Sequence, residues 1–366
     1  MDAIEPSEAA PAAPAAPASD DGVAELRRWL AARGVTAEQM EACHGEGHLP
    51  GLASDIVLAR GATLSAHDIA DRQGLDVKEV VELLRLFGVM VPDPHAPQFT
   101  ESDLRFVDVL ADKAVPGATG PDLPRVVAAA MDRIAEAAVA LYVQGPEGRL
   151  EQAGATPLEQ AEKLARATSM ALDLGVGLAS LFRHHMRQAI ARQRVVQAGV
   201  TQRELARLAI GFIDLVGSTS LWSRLTPAEL ATMVSRFESR AFDVVADAGG
   251  RLVKFIGDEI MVAANGADDG CRIIRALVAT FTADGLQPRG GLVHGEVLFR
   301  HGDYYGPVVN LAARLVDEAI PGEVLVDRSV VDATGDGGDS PRFEPAGRRL
   351  LKGFDDPITV WSLSLC

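Results

Sequence analysis

Two aspartates set in apolar runs, Asp214 in IGFIDLVGSTS and Asp258 in RLVKFIGDEIMV, open the question of chemistry in this chain. An ionised carboxylate in a hydrophobic stretch is costly to bury unless it is paired or bound to a cation. Either these are two turn-forming aspartates, or they share a metal site. Strand-end carboxylates brought together can bridge two hard cations. Residues 215–219, LVGST, read as a turn into a helix, where free N–H groups suit a polyphosphate. Gly217 lets the backbone approach closely, and Ser218 and Thr219 are candidate caps.

Three further groups carry chemistry. Asn310 and Arg314, in GDYYGPVVNLAARL, are four apart on an expected helix and share a face. Such an arginine can neutralise charge developing on a phosphate, and such an asparagine can orient a ribose oxygen; the alternative is an exposed polar stripe. Lys254 sits inside an apolar strand and needs a partner or a ligand. With Asp303 it makes a donor–acceptor pair able to read the edge of adenine, or else a structural salt bridge. Lys352, in LLKGFDD, is a candidate for a terminal phosphate contact or an ordinary surface lysine.

The elements that must position these residues follow from periodicity. From Ile210 the pattern alternates: strand 210–216, helix 227–247, strands 251–255 and 259–264, helix 267–283, strand 289–298, helix 306–319, strand 322–326 and a last strand 358–363. Helices on one face of a mainly antiparallel sheet make an α+β layer domain. Before it, residues 22–203 read as helical almost throughout, including a pair over 65–87 joined at Gly74 and a long tract from Pro157 that turns basic at Arg183, His184 and His185. Residues 1–21, rich in Ala and Pro, bury no core and are expected to be disordered. The expected organisation is a tail (1–21), a helical domain (22–185), a linker helix (186–206) and an α+β domain (207–366).

The chain is 366 residues long, with 35 basic against 51 acidic residues. That balance excludes a general nucleic-acid binder, which needs a basic footprint. Cys43, Cys271 and Cys366 fit neither a zinc spacing nor a disulfide framework. No apolar stretch reaches the roughly 18–20 residues that span a bilayer, and no secretion signal opens the sequence. A cytoplasmic location is expected.

FIDLVGST, KFIGDEIMV and DYYGPVVNLAARL, in this order and spacing, resemble the catalytic domain of the class III nucleotide cyclases over about residues 205–366. The resemblance implies a ferredoxin-like α/β sandwich with a βαββαβ core. It implies that Asp214 and Asp258 hold two divalent cations, Mg²⁺ or Mn²⁺, that Lys254 and Asp303 select adenine, and that Asn310 and Arg314 stabilise the transition state. Lys352 matches the family's phosphate-binding lysine. The implied reaction turns ATP into 3′,5′-cyclic AMP and pyrophosphate, with no protein general base in view. Guanylate cyclases typically carry Glu and a small residue in place of the adenine-reading pair. This chain departs from the commonest family form at Ser218, where an aromatic is frequent, and at Pro307, where Asp is frequent. In the family one protomer supplies the metal aspartates and its partner the other residues, which implies a homodimer with two composite sites.

The helical region resembles, more loosely, the regulatory domain of soluble actinobacterial cyclases that respond to acid pH. His184 and His185 are then candidate pH-sensing residues, since histidine titrates between pH 5 and 8; the alternative is two exposed histidines on a basic helix. The apolar stretch 170–181 is either dimer core or the lining of a pocket for a lipid-like molecule. The pair 65–87 also resembles a helix-turn-helix. It keeps a rival open, a transcription regulator whose cyclase-like domain senses ATP, beside the third reading, a guanylate cyclase.

Overall fold

The computed structural model describes residues 20–45, 48–104, 107, 122–144, 155–197, 205–300, 302–335 and 340–364. The chain divides into two units, Met1–His185 and Met186–Cys366.

The first unit is helical: α1 (Asp20–Ala31), α2 (Ala37–Gly45), α3 (Leu52–Leu58), α4 (Ala66–Gln73), α5 (Val77–Leu86), α6 (Asp122–Gln144) and most of α7 (Pro157–Gln197). Asp20 and Asp21, expected in the tail, open α1. Residues 1–19 lie outside the described ones. Two small cores hold the unit. Leu26, Leu30, Met40, Leu49 and Leu52 pack with Ala161 of α7, and Leu64, Ile69, Val80, Leu84 and Phe99 form the second. The α4–α5 pair is set by its caps: Ser65 and Asp68 form a capping box, Gly74 ends α4 in the left-handed conformation, and Asp76 with Glu79 caps α5. Lys78 and Arg85 of α5 are offset by Glu79 and Glu82, so this helix has no basic face for a nucleic acid.

Helix α7 runs unbroken to Gln197, so residues 186–197 of the expected linker are its last turns, and 198–204 lie outside the described residues. Its apolar side chains Met170, Leu172, Leu174, Val176, Leu181 and Phe182 stand in solvent on several sides of the helix. Among the described residues, no helix is long and apolar enough to cross a membrane.

In the second unit β1 (Leu205–Leu215), α8 (Ser218–Trp222), α9 (Pro227–Asp247), β2 (Arg251–Ile256), β3 (Glu259–Ala264), α10 (Ala267–Ala283) and β4 (Pro288–Arg300) come first. Strand order β2-β3-β1-β4, with antiparallel neighbours, makes a split βαββαβ core. Then β5 (Asp303–Tyr305) pairs β4, and α11 (Pro307–Glu318) crosses to β6 (Val324–Asp327), which runs parallel to β4. After α12 (Arg328–Ala333), β7 (Phe343–Arg349) and β8 (Ile358–Leu363) complete the sheet.

Both faces of this sheet are covered, which corrects the one-sided arrangement expected. Ala209 and Ile213 of β1 pack with Phe237 and Ala241 of α9, Ile274 and Leu277 of α10, and Val330 of α12. The alternate residues Leu208, Ile210 and Phe212 pack with Ala312, Leu315 and Val316 of α11. A strand buried on both sides loses the polar alternation that would have reported a second helix layer. Helix α11 lies hard against β4: a Cβ on Gly291 would come 2.4 Å from the Ala312 carbonyl oxygen and 2.8 Å from the Val316 nitrogen.

Candidate active site

Register brings the two aspartates to one end of the sheet. Ile213 of β1 pairs with Ile260 of β3, so the strand end bearing Asp214 lies beside the β2–β3 turn that carries Asp258. Gly257, at φ 67°, lets that turn close tightly. Across β4, Asp214 is the register partner of Arg289. The Arg289 guanidinium donates to Asp214 Oδ2 from Nε at 2.8 Å and Nη2 at 2.7 Å. Its Nη1 donates to the carbonyl of Asp317 at 2.9 Å, one of the free acceptors at the end of α11. One side chain thus ties the carboxylate of β1 to the helix bearing Asn310 and Arg314. Neither Arg289 nor its role was read from the sequence. The available signal was a lone arginine opening an apolar strand, PRGGLVHG.

Ser218 and Thr219 do not cap α8. Its N-cap is Gly217, at φ 78°, with no side-chain cap bond. Ser218 is buried and its hydroxyl donates to the Asp258 carboxylate, while Thr219 is exposed. Short side chains that cap helices also serve neighbouring carboxylates, and a five-residue helix offers little dipole to compete.

Glu259, next to Asp258, reports the electrostatics here. Burial, then the carboxylates of Asp214, Asp317 and Asp258, push its pKa up to about 7, and Arg289 only partly offsets them. One guanidinium does not balance this crowding. Among the described residues no group of three or more His, Cys, Asp or Glu forms a closed metal cage. Two strand-end aspartates in an acidic neighbourhood instead fit Mg²⁺ or Mn²⁺, which take one or two carboxylates and complete their shell with water and substrate phosphates.

Lys254 and Asp303 are brought together: Lys254 Nζ donates to Asp303 Oδ2, and Asp303 Oδ1 accepts from the Tyr304 amide at 2.8 Å. Asn310 and Arg314 share α11, Asn310 exposed and Arg314 paired with Asp317 at 2.9 Å. Pro307 at the first turn suits the helix start, and buried Leu315 anchors the helix to the sheet. Lys352 is exposed on the β7–β8 connection, beside buried Leu351. His184 and His185 are exposed on α7, which continues twelve residues past His185.

Residues 200–364 match the family described as the adenylate and guanylate cyclase catalytic domain. The chain is 35% identical over 356 residues to the uncharacterised protein Rv2212 of Mycobacterium tuberculosis, covering 93% of this chain and 90% of that one. It is 42% identical over 161 residues to an adenylate cyclase of Streptomyces coelicolor, 43% of this chain and 42% of that one. It is 28% identical over 349 residues to the pH-sensitive adenylate cyclase MT1302 of Mycobacterium tuberculosis, 92% of this chain and 87% of that one. The βαββαβ core, its strand-end aspartates and these matches place the chain in the class III adenylate and guanylate cyclase family, as a phosphorus–oxygen lyase whose catalytic domain spans residues 200–364.

Proposed function

We propose that the chain converts ATP to 3′,5′-cyclic AMP and pyrophosphate, with Lys254 and Asp303 as the adenine readers. The ion pair between them carries the reading: an ammonium and a carboxylate joined at one place can donate to a ring nitrogen and accept from the exocyclic amine. Guanine presents a carbonyl where adenine has its amine, and a carboxylate there repels it. Asp214 and Asp258 would hold the cations, with Ser218 orienting Asp258 and Arg289 orienting Asp214. When bound, a pair of divalent cations acidifies the ribose 3′-hydroxyl and offsets phosphate charge. Asn310 orients the ribose, Arg314 meets the charge that grows on the α-phosphate, and Lys352 holds the terminal phosphates. Positioning and charge stabilisation supply most of the rate. Chromatography of products from ATP and from GTP tests this: cyclic AMP should dominate, and equal or greater cyclic GMP would make the chain a guanylate cyclase.

The working unit we propose is a homodimer with two composite sites. One chain carries both the metal aspartates and the α11 residues, and the apolar side chains standing in solvent along α7 give a second copy a surface to bury. Regulation by pH through the helical unit, with His184 and His185 as the regulatory residues, is supported by the similarity to MT1302 over most of the chain. Replacing both histidines by Gln should flatten the rate–pH profile of the whole chain. An unchanged profile removes these residues from the switch.

A further inference from the structure

Strand β5 is three residues long and pairs with β4 at Leu298–Tyr305, Phe299–Tyr304 and Arg300–Asp303. So short a strand is weakly held by its own ladder, and buried Tyr304 anchors it to the core beneath α11. Arg251, three residues before Lys254 in β2, adds a polar hold on either side of Asp303. Its Nη2 donates to the Gly302 carbonyl at 2.8 Å and its Nη1 to the Tyr304 hydroxyl at 2.9 Å. These partners flank Asp303 on both sides. The guanidinium also lies 5.5 Å from the Phe299 ring centre and 5.3 Å from that of Tyr304, within reach of cation–π attraction. Strand β2 therefore offers Lys254 to the base and Arg251 to the turn that presents Asp303.

We infer that Arg251 is a specificity-determining positioning residue: it fixes Asp303 against Lys254 and thereby sets the preference for adenine over guanine. This rests on the reading that Lys254 and Asp303 recognise the base. A carboxylate selects an amine over a carbonyl only while it is held in place. Released, it gives a weaker bond to adenine and a weaker repulsion of guanine, so the two nucleotides converge. Lysine at 251 keeps the charge but cannot span two acceptors in a planar fork.

The test uses the full chain with Arg251→Ala, Arg251→Lys and Tyr304→Phe, measuring kcat and KM for ATP and GTP beside the melting temperature. Arg251→Ala should lower the ATP:GTP ratio of kcat/KM by about 10- to 100-fold, mainly by raising KM for ATP. Arg251→Lys and Tyr304→Phe should lower it less. A ratio unchanged in Arg251→Ala, with total activity reduced for both nucleotides alike, overturns the inference. Should Arg251→Ala fail to melt cooperatively, an unchanged ratio in both milder variants overturns it instead. A wild-type chain without preference for ATP removes the adenine reading itself, and that result is visible before any variant is made.

Discussion

Carboxylates drawn together at a sheet end need cations, and the residues here show what happens while the balance is uneven. Asp214 is matched by two bonds from Arg289 that converge on its Oδ2, whereas Glu259, on the neighbouring strand β3, is driven up to about 7. His294 shows the opposite case, a base made harder to protonate. On β4, with Nδ1 buried and without a hydrogen-bond partner among the described residues, it is held below its ordinary 6.5 by burial and then by Arg207, against the pull of Asp327. The unfolded chain takes up a proton at 6.5 while the folded one resists, so His294 adds stability above that pH which is lost as pH falls through its folded value. The melting temperature should therefore drop as pH falls below 6.5, and His294→Gln should make the slope shallower. An identical slope in the variant would assign the acid sensitivity to other groups.

Elements are joined here by single side chains, and Arg289 joins three of them: β4, the end of β1 and the end of α11. Both partners of its ion pair are mostly shielded, with side chains 23% and 20% exposed. Removing one partner of a buried pair costs roughly 3–5 kcal/mol because the other charge is stranded, and partial exposure here lowers that to about 2 kcal/mol. Arg289→Met should lose about that much stability by denaturant unfolding, and Arg289→Met with Asp214→Asn should recover most of it. Equal losses in the single and double variants would show that helix capping, rather than the charge, is what Arg289 provides. Elements with one clean apolar face were legible in the sequence: α9, α10 and β8 fall at their expected residues. Strand β7 was missed because Pro345 and Gly347 read as a loop, and both are tolerated at a sheet edge where the ladder is bulged. Asp214, Asp258 and Lys254 were legible because charge in an apolar run is conspicuous, whereas Asp303, in RHGDYYGP, was found through the family motif DYYGPVVNLAARL. Arg251 and Arg289 open their strands, where an arginine looks like surface, and only register reveals what they reach. The second helix layer was invisible because β1, buried on both faces, shows no alternation from which a second covering helix could be read.

At the scale of the whole molecule, the proposed homodimer, in which each copy would supply half of a site, predicts complementation. Mixing Asp214→Ala chains with Arg314→Ala chains should restore one working centre per heterodimer, about half the wild-type activity per mixed dimer if the two centres act independently. Sedimentation should show the same dimer for all three preparations. Dimers that remain inactive when mixed would place all catalytic residues of a centre on one chain. The contact between α11 and β4 bears on what sequences such a dimer can accept. Gly257 answers to torsion alone, with open space where a side chain would go, so Asn or Asp can follow glycine there. Gly291 answers to space alone: its backbone is ordinary, but helix main chain occupies the volume of a methyl group. Drift at the first position alters a bend, while drift at the second pries α11 from its bed on β4, which leaves 291 closed to every amino acid but the smallest.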